Sequence, residues 1–454
     1  AGGVAAAGAY VAFPYAWIAV VWVALGVLLL GGAKRWKEYR LMPEACAAVG
    51  LALVRVLAVN LHVTGGVLRG GGGISERLAT LAAIGALCYM GARWGEAEER
   101  AWTQHLPAAL AWCGTGVLAL LAWYELQPAS VALAWALLGV GLLEAGMAKR
   151  WLALRLQAYG LLVSGFLRIF FVNLNAESDS GILSARLYTV VPMAVVFYFV
   201  YEMLQGRTEE FLSGDRSWRA AEAHSWMGLL TAVALLRFEV PIDWVVAAWA
   251  GLAVVLLSVA VTSGRRLFIS QSLILGLAVA VRGVLHNFYE RSYFPLPAPF
   301  AFGRFAVLGV TCAVLLAGLP LAYGLRVRGA EAPDGGRMRR GWFHFVNRPE
   351  QTLFFVALLL VTSLLAAELS KGMVTMGWGL EAVVVFLFAL QVKERSYRLA
   401  GLALLMLCVA KIPLVDIWDM TKMERALTFV VLGASMLGVS FLYTRFRDRV
   451  RQYL

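Results

Sequence analysis

One ordered set of polar residues returns four times in this chain, each time inside otherwise apolar sequence. The four versions are Trp22, Arg40, Arg55, Asn60, Arg77; Trp135, Arg155, Arg168, Asn173, Arg186; Trp249, Arg266, Arg282, Asn287, Arg304; and Trp378, Arg398, Lys411, Asp416, Arg425. In the last three, Glu125, Glu239 and Glu368 stand ten residues before the Trp. Guanidinium groups suit phosphate and carboxylate because they donate in a planar fork. One reading is therefore an anion site at one membrane face. It would be built from Arg55, Asn60, Arg77, Arg168, Asn173, Arg186, Arg282, Asn287, Arg304, Lys411, Asp416 and Arg425. Its ligand would be a lipid headgroup, a lipid-linked sugar phosphate or an acidic glycan.

The same residues also serve a structural end, which is the default expectation. Arg55, Arg168, Arg282 and Lys411 would pair with the Glu of their own unit, or snorkel to headgroups. Asn60, Asn173 and Asn287 would cap the helix that carries them. A cation at a helix start is disfavoured by the helix dipole, so Arg77, Arg186, Arg304 and Arg425 should meet a carboxylate or a lipid phosphate. The fourth version departs most, with Asp416, Asp419, Lys422 and Glu424 close together. Acid–base chemistry or cation binding is to be sought there, against the plainer reading of a salt-bridged helix end.

Other chemistry finds little support. His62, His105, His224, His286 and His344 form no pair at the spacing of a bis-His haem site. The five Cys are odd in number, lie in apolar runs and show no CxxC spacing, so they read as small core residues. No Walker A, HExxH, GxSxG or dinucleotide fingerprint is present. No catalytic residue, metal or cofactor is expected.

The elements that must hold these residues are membrane helices. The 454 residues are 61% hydrophobic and 15% charged, with mean hydropathy +0.74. Charge is well below the usual quarter. Fifteen apolar runs lie between residues 10 and 444, most long enough to cross a hydrocarbon core of about 30 Å. The weakest is 224–238, which contains Arg237. The net charge of +12 does not indicate nucleic acid, because Lys and Arg concentrate on alternate connections. Lys34, Arg35, Lys37 and Arg40 mark one such connection, Lys149 and Arg150 a second, and Arg445 to Arg451 a third. That bias orients these connections and the C-terminus to the cytoplasm. The stretch from Arg326 to Arg348 reads as an interfacial segment, basic and aromatic together.

Arg55, Arg168, Arg282 and Lys411 are separated by 113, 114 and 129 residues. The expected architecture is all-α and polytopic, about 15 transmembrane helices in four parallel tandem repeats of three to four helices. The units are 1–104, 105–222, 223–345 and 346–454. In a full unit, a first helix ends at the Glu and a second starts near the Trp. A third ends at the basic-xxxx-Asn/Asp pair, and a fourth starts at the last Arg. Parallel units of this kind differ from the inverted repeats of many carriers. The first unit lacks its Glu-ending helix and the chain starts at Ala1 without Met, so further helices are expected upstream.

The stretch from Tyr397 to Phe446 carries Tyr397, Arg398, Lys411, Asp416, Arg425, Phe429, Leu432, Gly433, Tyr443 and Phe446. This pattern resembles the repeat of a bacterial family of large multi-pass proteins, domain of unknown function 2339. The resemblance implies a bacterial inner-membrane protein and brings no activity. Three functions are consistent with the sequence. The leading one is a non-enzymatic membrane subunit or scaffold of a cell-envelope complex, contacting membrane lipids and other membrane or envelope proteins. The others are a transporter or flippase-like protein for an anionic lipid or glycan, and a membrane-embedded transferase.

Overall fold

The computed structural model describes residues 2–38, 40–65, 74–94, 105–175, 184–207, 212–290, 292, 303–327, 336–369, 371–412 and 422–445. Among the described residues there is no β-strand, and the chain is all-α. Among the described residues, eleven helices are long and apolar enough to cross a membrane. The other four expected spans also fall on helices. Charged and polar side chains dilute Glu76–Trp94 and Ala220–Glu239, Arg395–Lys411 has only 17 residues, and of Lys422–Arg445 only Ala426–Phe441 is apolar.

The chain divides into two compact units, Ala1–Leu235 and Leu236–Leu454. The first holds α1 (Gly2–Ala12), α2 (Ile18–Trp36), α3 (Leu41–Ala58), α4 (Glu76–Trp94), α5 (Leu106–Glu125), α6 (Val131–Ala148), α7 (Leu152–Arg168), α8 (Ala185–Gln205), the short α9 (Ser213–Ser217) and most of α10 (Ala220–Glu239). The first apolar run of the sequence, residues 10–30, crosses from the last turn of α1 into α2. Pro14 divides them, because proline lacks an N–H and disfavours helix in the residue before it. Within this unit α2 packs on α3 and α4, α4 on α5, and α6 on α7 and α8. Ala19, Val23, Ala52, Leu81 and Ile84 form one core, and Leu143, Ala158, Leu162 and Phe197 belong to another.

The second compact unit holds α11 (Val245–Ser263), α12 (Arg266–Arg282), α13 (Gly303–Ala317), α14 (Leu319–Gly324), α15 (Arg337–Asn347), α16 (Pro349–Glu368), α17 (Lys371–Val392), α18 (Arg395–Lys411) and α19 (Lys422–Arg445). Here α11 packs on α12 and α13, α16 on α12 and α13, and α17 on α18 and α19. Tyr397 is fully buried, stacked on Phe354 at 3.9 Å between ring centroids.

Two local features recur at matching positions. A left-handed residue closes α2, α6, α11 and α17: Lys37 at φ 59°, Arg150 at 54°, Gly264 at 68° and Lys393 at 60°. This conformation ends a helix and turns the chain sharply, normally at glycine. The helix after each turn then packs against the one before it in one register. A Cβ on Gly26 would lie 3.0 Å from the carbonyl oxygen of Ala45, one on Gly139 3.2 Å from that of Ala158, and one on Gly401 3.0 Å from that of Ala382. At the corresponding place in the α11–α12 pair, the Ser272 hydroxyl donates to the Ala253 carbonyl at 2.8 Å. Lipid tails supply no hydrophobic drive between helices, so close approach at small residues supplies the packing energy.

Gly139→Leu should therefore cost about 1–3 kcal/mol by overpacking, read as a lower melting temperature in detergent. Gly141→Leu is the control, because nothing lies within 4 Å of a Cβ at Gly141. Equal melting temperatures for the two variants would remove the close-approach explanation.

Candidate functional site

The site begins with a turn. Ahead of α2 the Trp17 N–H donates to the Pro14 carbonyl at 2.9 Å. Ahead of α6 the Ser130 N–H donates to Gln127 at 2.9 Å, and ahead of α11 the Trp244 N–H donates to Pro241 at 2.8 Å. The carbonyls of Trp17, Ser130 and Trp244 accept the first bonds of their helices. Two carbonyls inside each turn are left needing donors from elsewhere in the chain. A backbone acceptor without a partner is expensive at an apolar boundary.

The recurring basic residue and Asn supply those donors. Arg55 donates to the Tyr15 carbonyl at 2.9 Å, Arg168 to Pro128 at 3.1 Å and Arg282 to Ile242 at 2.7 Å. The next carbonyl takes the amide. Asn60 donates to Ala16 at 2.7 Å, Asn173 to Ala129 at 2.6 Å and Asn287 to Asp243 at 3.1 Å. In each case the Arg reaches back 40 residues and the Asn 44. The expectation that these Asn cap their own helices is thus corrected: their amides cross to the preceding turn.

Five residues on an α-helix do not share a face. The backbone resolves this by changing pitch. Directly after Arg168 the helix widens into a π segment, Ile169–Asn173, and directly after Arg282 into another, Gly283–Glu290. Hydrogen bonds from i to i+5 bring residues five apart nearly into line. After α3 the same end is reached through Val59, at φ −128°, and a 3-10 turn, Asn60–His62. Asn60, Asn173 and Asn287 are all fully buried.

The recurring Trp lies beside the cation every time. Ring centroids are 5.9 Å from the Arg55 guanidinium carbon for Trp22, 5.8 Å from Arg168 for Trp135, 5.4 Å from Arg282 for Trp249, and 5.7 Å from the Lys411 Nζ for Trp378. Trp123 adds a closer face under Arg168 at 4.1 Å. The attraction is electrostatic, cation to ring quadrupole, and strengthens away from water. The indole N–H of Trp135 donates to Ala119 and that of Trp378 to Thr362, each at 2.9 Å and 16 residues back. The fourth version differs as its sequence does. Lys411 donates to the Thr375 hydroxyl at 2.9 Å. Asp416 and Asp419 lie outside the described residues, as do the side chains of Glu424 and Arg425.

The pairing of each Glu with the basic residue of its own unit is also corrected where the partners are seen. Glu125 meets Arg77 at 3.4 Å, and Arg77 donates to the Tyr124 carbonyl at 2.7 Å. Glu368 meets Arg304 at 3.8 Å, and Arg304 donates to Ser292 at 3.2 Å. The Glu at the end of α5 thus pairs with the Arg at the start of α4, and the Glu at the end of α16 with the Arg at the start of α13. This removes the dipole conflict at Glu76–Trp94 and Gly303–Ala317. Arg186 stands in the first turn of α8, and Glu239 ends α10.

Several polar pairings lie outside the expectations drawn from the sequence. Arg155 was placed in the recurring set without a partner; it meets Asp215 of α9 at 2.8 Å, with both side chains almost wholly buried. Arg326 lies 3.6 Å from Glu350 and also pairs with Glu394, which Arg348 approaches at 3.9 Å. His286 lies between Asp243 at 3.4 Å and Glu290 at 2.6 Å. Glu381 stands midway along α17 and accepts from Thr362 at 2.9 Å. An ionisable side chain inside an apolar helix was the available signal for Glu381. No comparable signal joins Arg155 to Asp215 across 60 residues. No group of three or more His, Cys, Asp or Glu suited to a metal occurs among the described residues.

A family model described as "Predicted membrane protein (DUF2339)" matches residues 71–446. The chain belongs to this family. The match takes in the three last versions of the recurring set, so the DUF2339 region contains most of the turns just described. Neither the curated proteins nor the solved structures give a match.

Proposed function

We propose that this DUF2339 chain is a non-enzymatic integral membrane subunit or scaffold of a bacterial cell-envelope complex. In this reading it is a tandem array of four parallel units, 1–104, 105–222, 223–345 and 346–454, with about fifteen membrane helices. It resides in the inner membrane with its C-terminus in the cytoplasm, and its partners are membrane lipids and other membrane or envelope proteins.

The observation that carries this reading is the direction of the recurring cations. Arg55, Arg168 and Arg282 each donate to a carbonyl of their own chain and lie beside Trp rings of their own unit. A transport pathway for an anion would turn such groups toward a common cavity. A transferase would hold an unpaired carboxylate beside a cleft. Matching spacings support the array: left-handed closures at residues 37, 150, 264 and 393, and small-residue contacts at 26, 139, 253 and 382, stand at the same intervals as the recurring basic residue. Such agreement follows when one helical unit is repeated and each copy packs in the same way.

The test is gentle purification of the full chain, followed by native and then denaturing mass spectrometry. Stoichiometric protein partners with bulk lipid are the expected result. A discrete anionic lipid or glycan at fixed stoichiometry, lost in Arg168→Ala, would replace the scaffold reading with binding or transport.

A further inference from the structure

Helix α15 is short, basic and amphipathic. Its sequence, RMRRGWFHFVN, has three arginines and no acidic residue. Beneath it lies a cavity of about 310 Å³ between α12 and α16, lined by Leu277, Ala280, Trp342, Phe345, Phe355 and Leu359 among others. The lining on α12 runs from Leu273 to Ala280, about 10 Å along the helix axis. Leu277 and Leu359 are 48% and 45% exposed, so the slot opens sideways on the surface that lipid tails would cover.

We propose that this slot holds an acyl chain of an anionic phospholipid, with the phosphate met by Arg340 of α15 and Arg266 of α12. Charge complementarity selects the headgroup. Arg337, Arg339 and Arg340 lie within eleven residues of helix, Arg340 is exposed, and Arg266 is exposed at the first turn of α12, which packs on α15. A basic amphipathic helix with aromatic residues is the form that lies in an anionic membrane interface. The apolar lining selects the tail, because a sugar or nucleotide would leave polar groups there without partners.

The slot is held in place by its surroundings. The Val327 N–H donates to the Asn347 carbonyl at 3.0 Å, which fixes the end of α15. Arg326 and Arg348 then anchor the α15–α16 junction on Glu350 and Glu394. A lipid bound here needs little ordering of the protein, which favours a resident molecule over a passing one.

The test uses the full chain in phosphatidylcholine nanodiscs containing a minor fraction of lipid brominated on its acyl chains. Bromine quenches nearby Trp, and the difference between wild type and Trp342→Phe isolates Trp342 from the 16 Trp of the chain. Quenching of Trp342 should be stronger with brominated phosphatidylglycerol than with brominated phosphatidylcholine. The variant Arg266→Gln/Arg340→Gln should erase that preference, by up to roughly fivefold per arginine. Ala280→Phe should fill the slot and lower quenching with the charges intact. Equal quenching by the two lipids in wild type would overturn the proposal. So would quenching that ignores Ala280→Phe, or a protein partner retained on α15 in place of lipid.

Discussion

Arg155→Ala should destabilise the protein by about 3–5 kcal/mol, among the largest losses available to one substitution. The Arg155 Nε lies 2.8 Å from an Asp215 oxygen, and the two side chains are 4% and 3% exposed. Removing the guanidinium leaves a carboxylate with almost no water. Removing both charges should be far milder, so Arg155→Met/Asp215→Leu should recover most of the loss. The effect should also depend on pH. Burial raises the Asp215 carboxyl above its ordinary value, and Arg155 acts against that rise. In the variant that opposition is gone, so the folded chain holds the proton to higher pH than the unfolded chain does. A group of this kind costs stability above its unfolded pKa, and the cost fades as pH falls. The penalty of Arg155→Ala should therefore shrink between pH 7 and pH 5 in thermal unfolding. A penalty independent of pH would mean that the loss lies in packing and not in charge.

Arg168→Ala should cost about 2–4 kcal/mol, which combines an acceptor left without its donor with the loss of two ring contacts. The Pro128 carbonyl loses its bond, and Trp123 and Trp135 lose the cation beside them. Arg168→Lys should restore part of the loss, since Lys411 stands beside Trp378 at a matching distance in the fourth version. Glu125→Gln should cost less, about 1 kcal/mol or under, because its partner is the partly exposed Arg77 at 3.4 Å. Thermal unfolding of the three variants in one detergent separates these expectations. Equal losses in Arg168→Ala and Glu125→Gln would restore a direct link between those two residues.

Much of the fold was legible because membrane helices announce themselves. Each apolar run of the sequence overlaps a described helix, although the first crosses the break at Pro14, and the recurring Trp, basic residue and Asn were visible as a set. Their connection was less legible. The expected partner of Arg168 was Glu125, since charge seeks charge. The partners found are a main-chain carbonyl and Trp rings, and carbonyls leave no mark in a sequence. The pitch change after Arg168 and Arg282 was equally hidden, although the fixed spacing of five hinted that an ordinary α-helix would not align the pair. Positions 26, 139, 253 and 382 are Gly, Gly, Ala and Ala, and 45, 158, 272 and 401 are Ala, Ala, Ser and Gly. Small size at all eight is visible in the sequence, but small residues are frequent in apolar helices and do not by themselves mark a partner. The burial of Asp215 and Glu350 is not legible in the sequence, since a carboxylate in the first turn of a helix is buried only by how the neighbouring connections fold back.

The recurring basic residue and Asn hold the preceding turn closed. Hydrogen exchange at residues 127–131, read by mass spectrometry in wild type, Asn173→Ala and Arg168→Ala, tests it most directly. The Ser130 N–H bonded to Gln127 lies within that segment. Faster exchange there in both variants, with lower melting temperatures, is the expected result. Unchanged exchange and unchanged stability, together with loss of a bound anionic lipid or glycan, would contradict the claim and make these residues a ligand site.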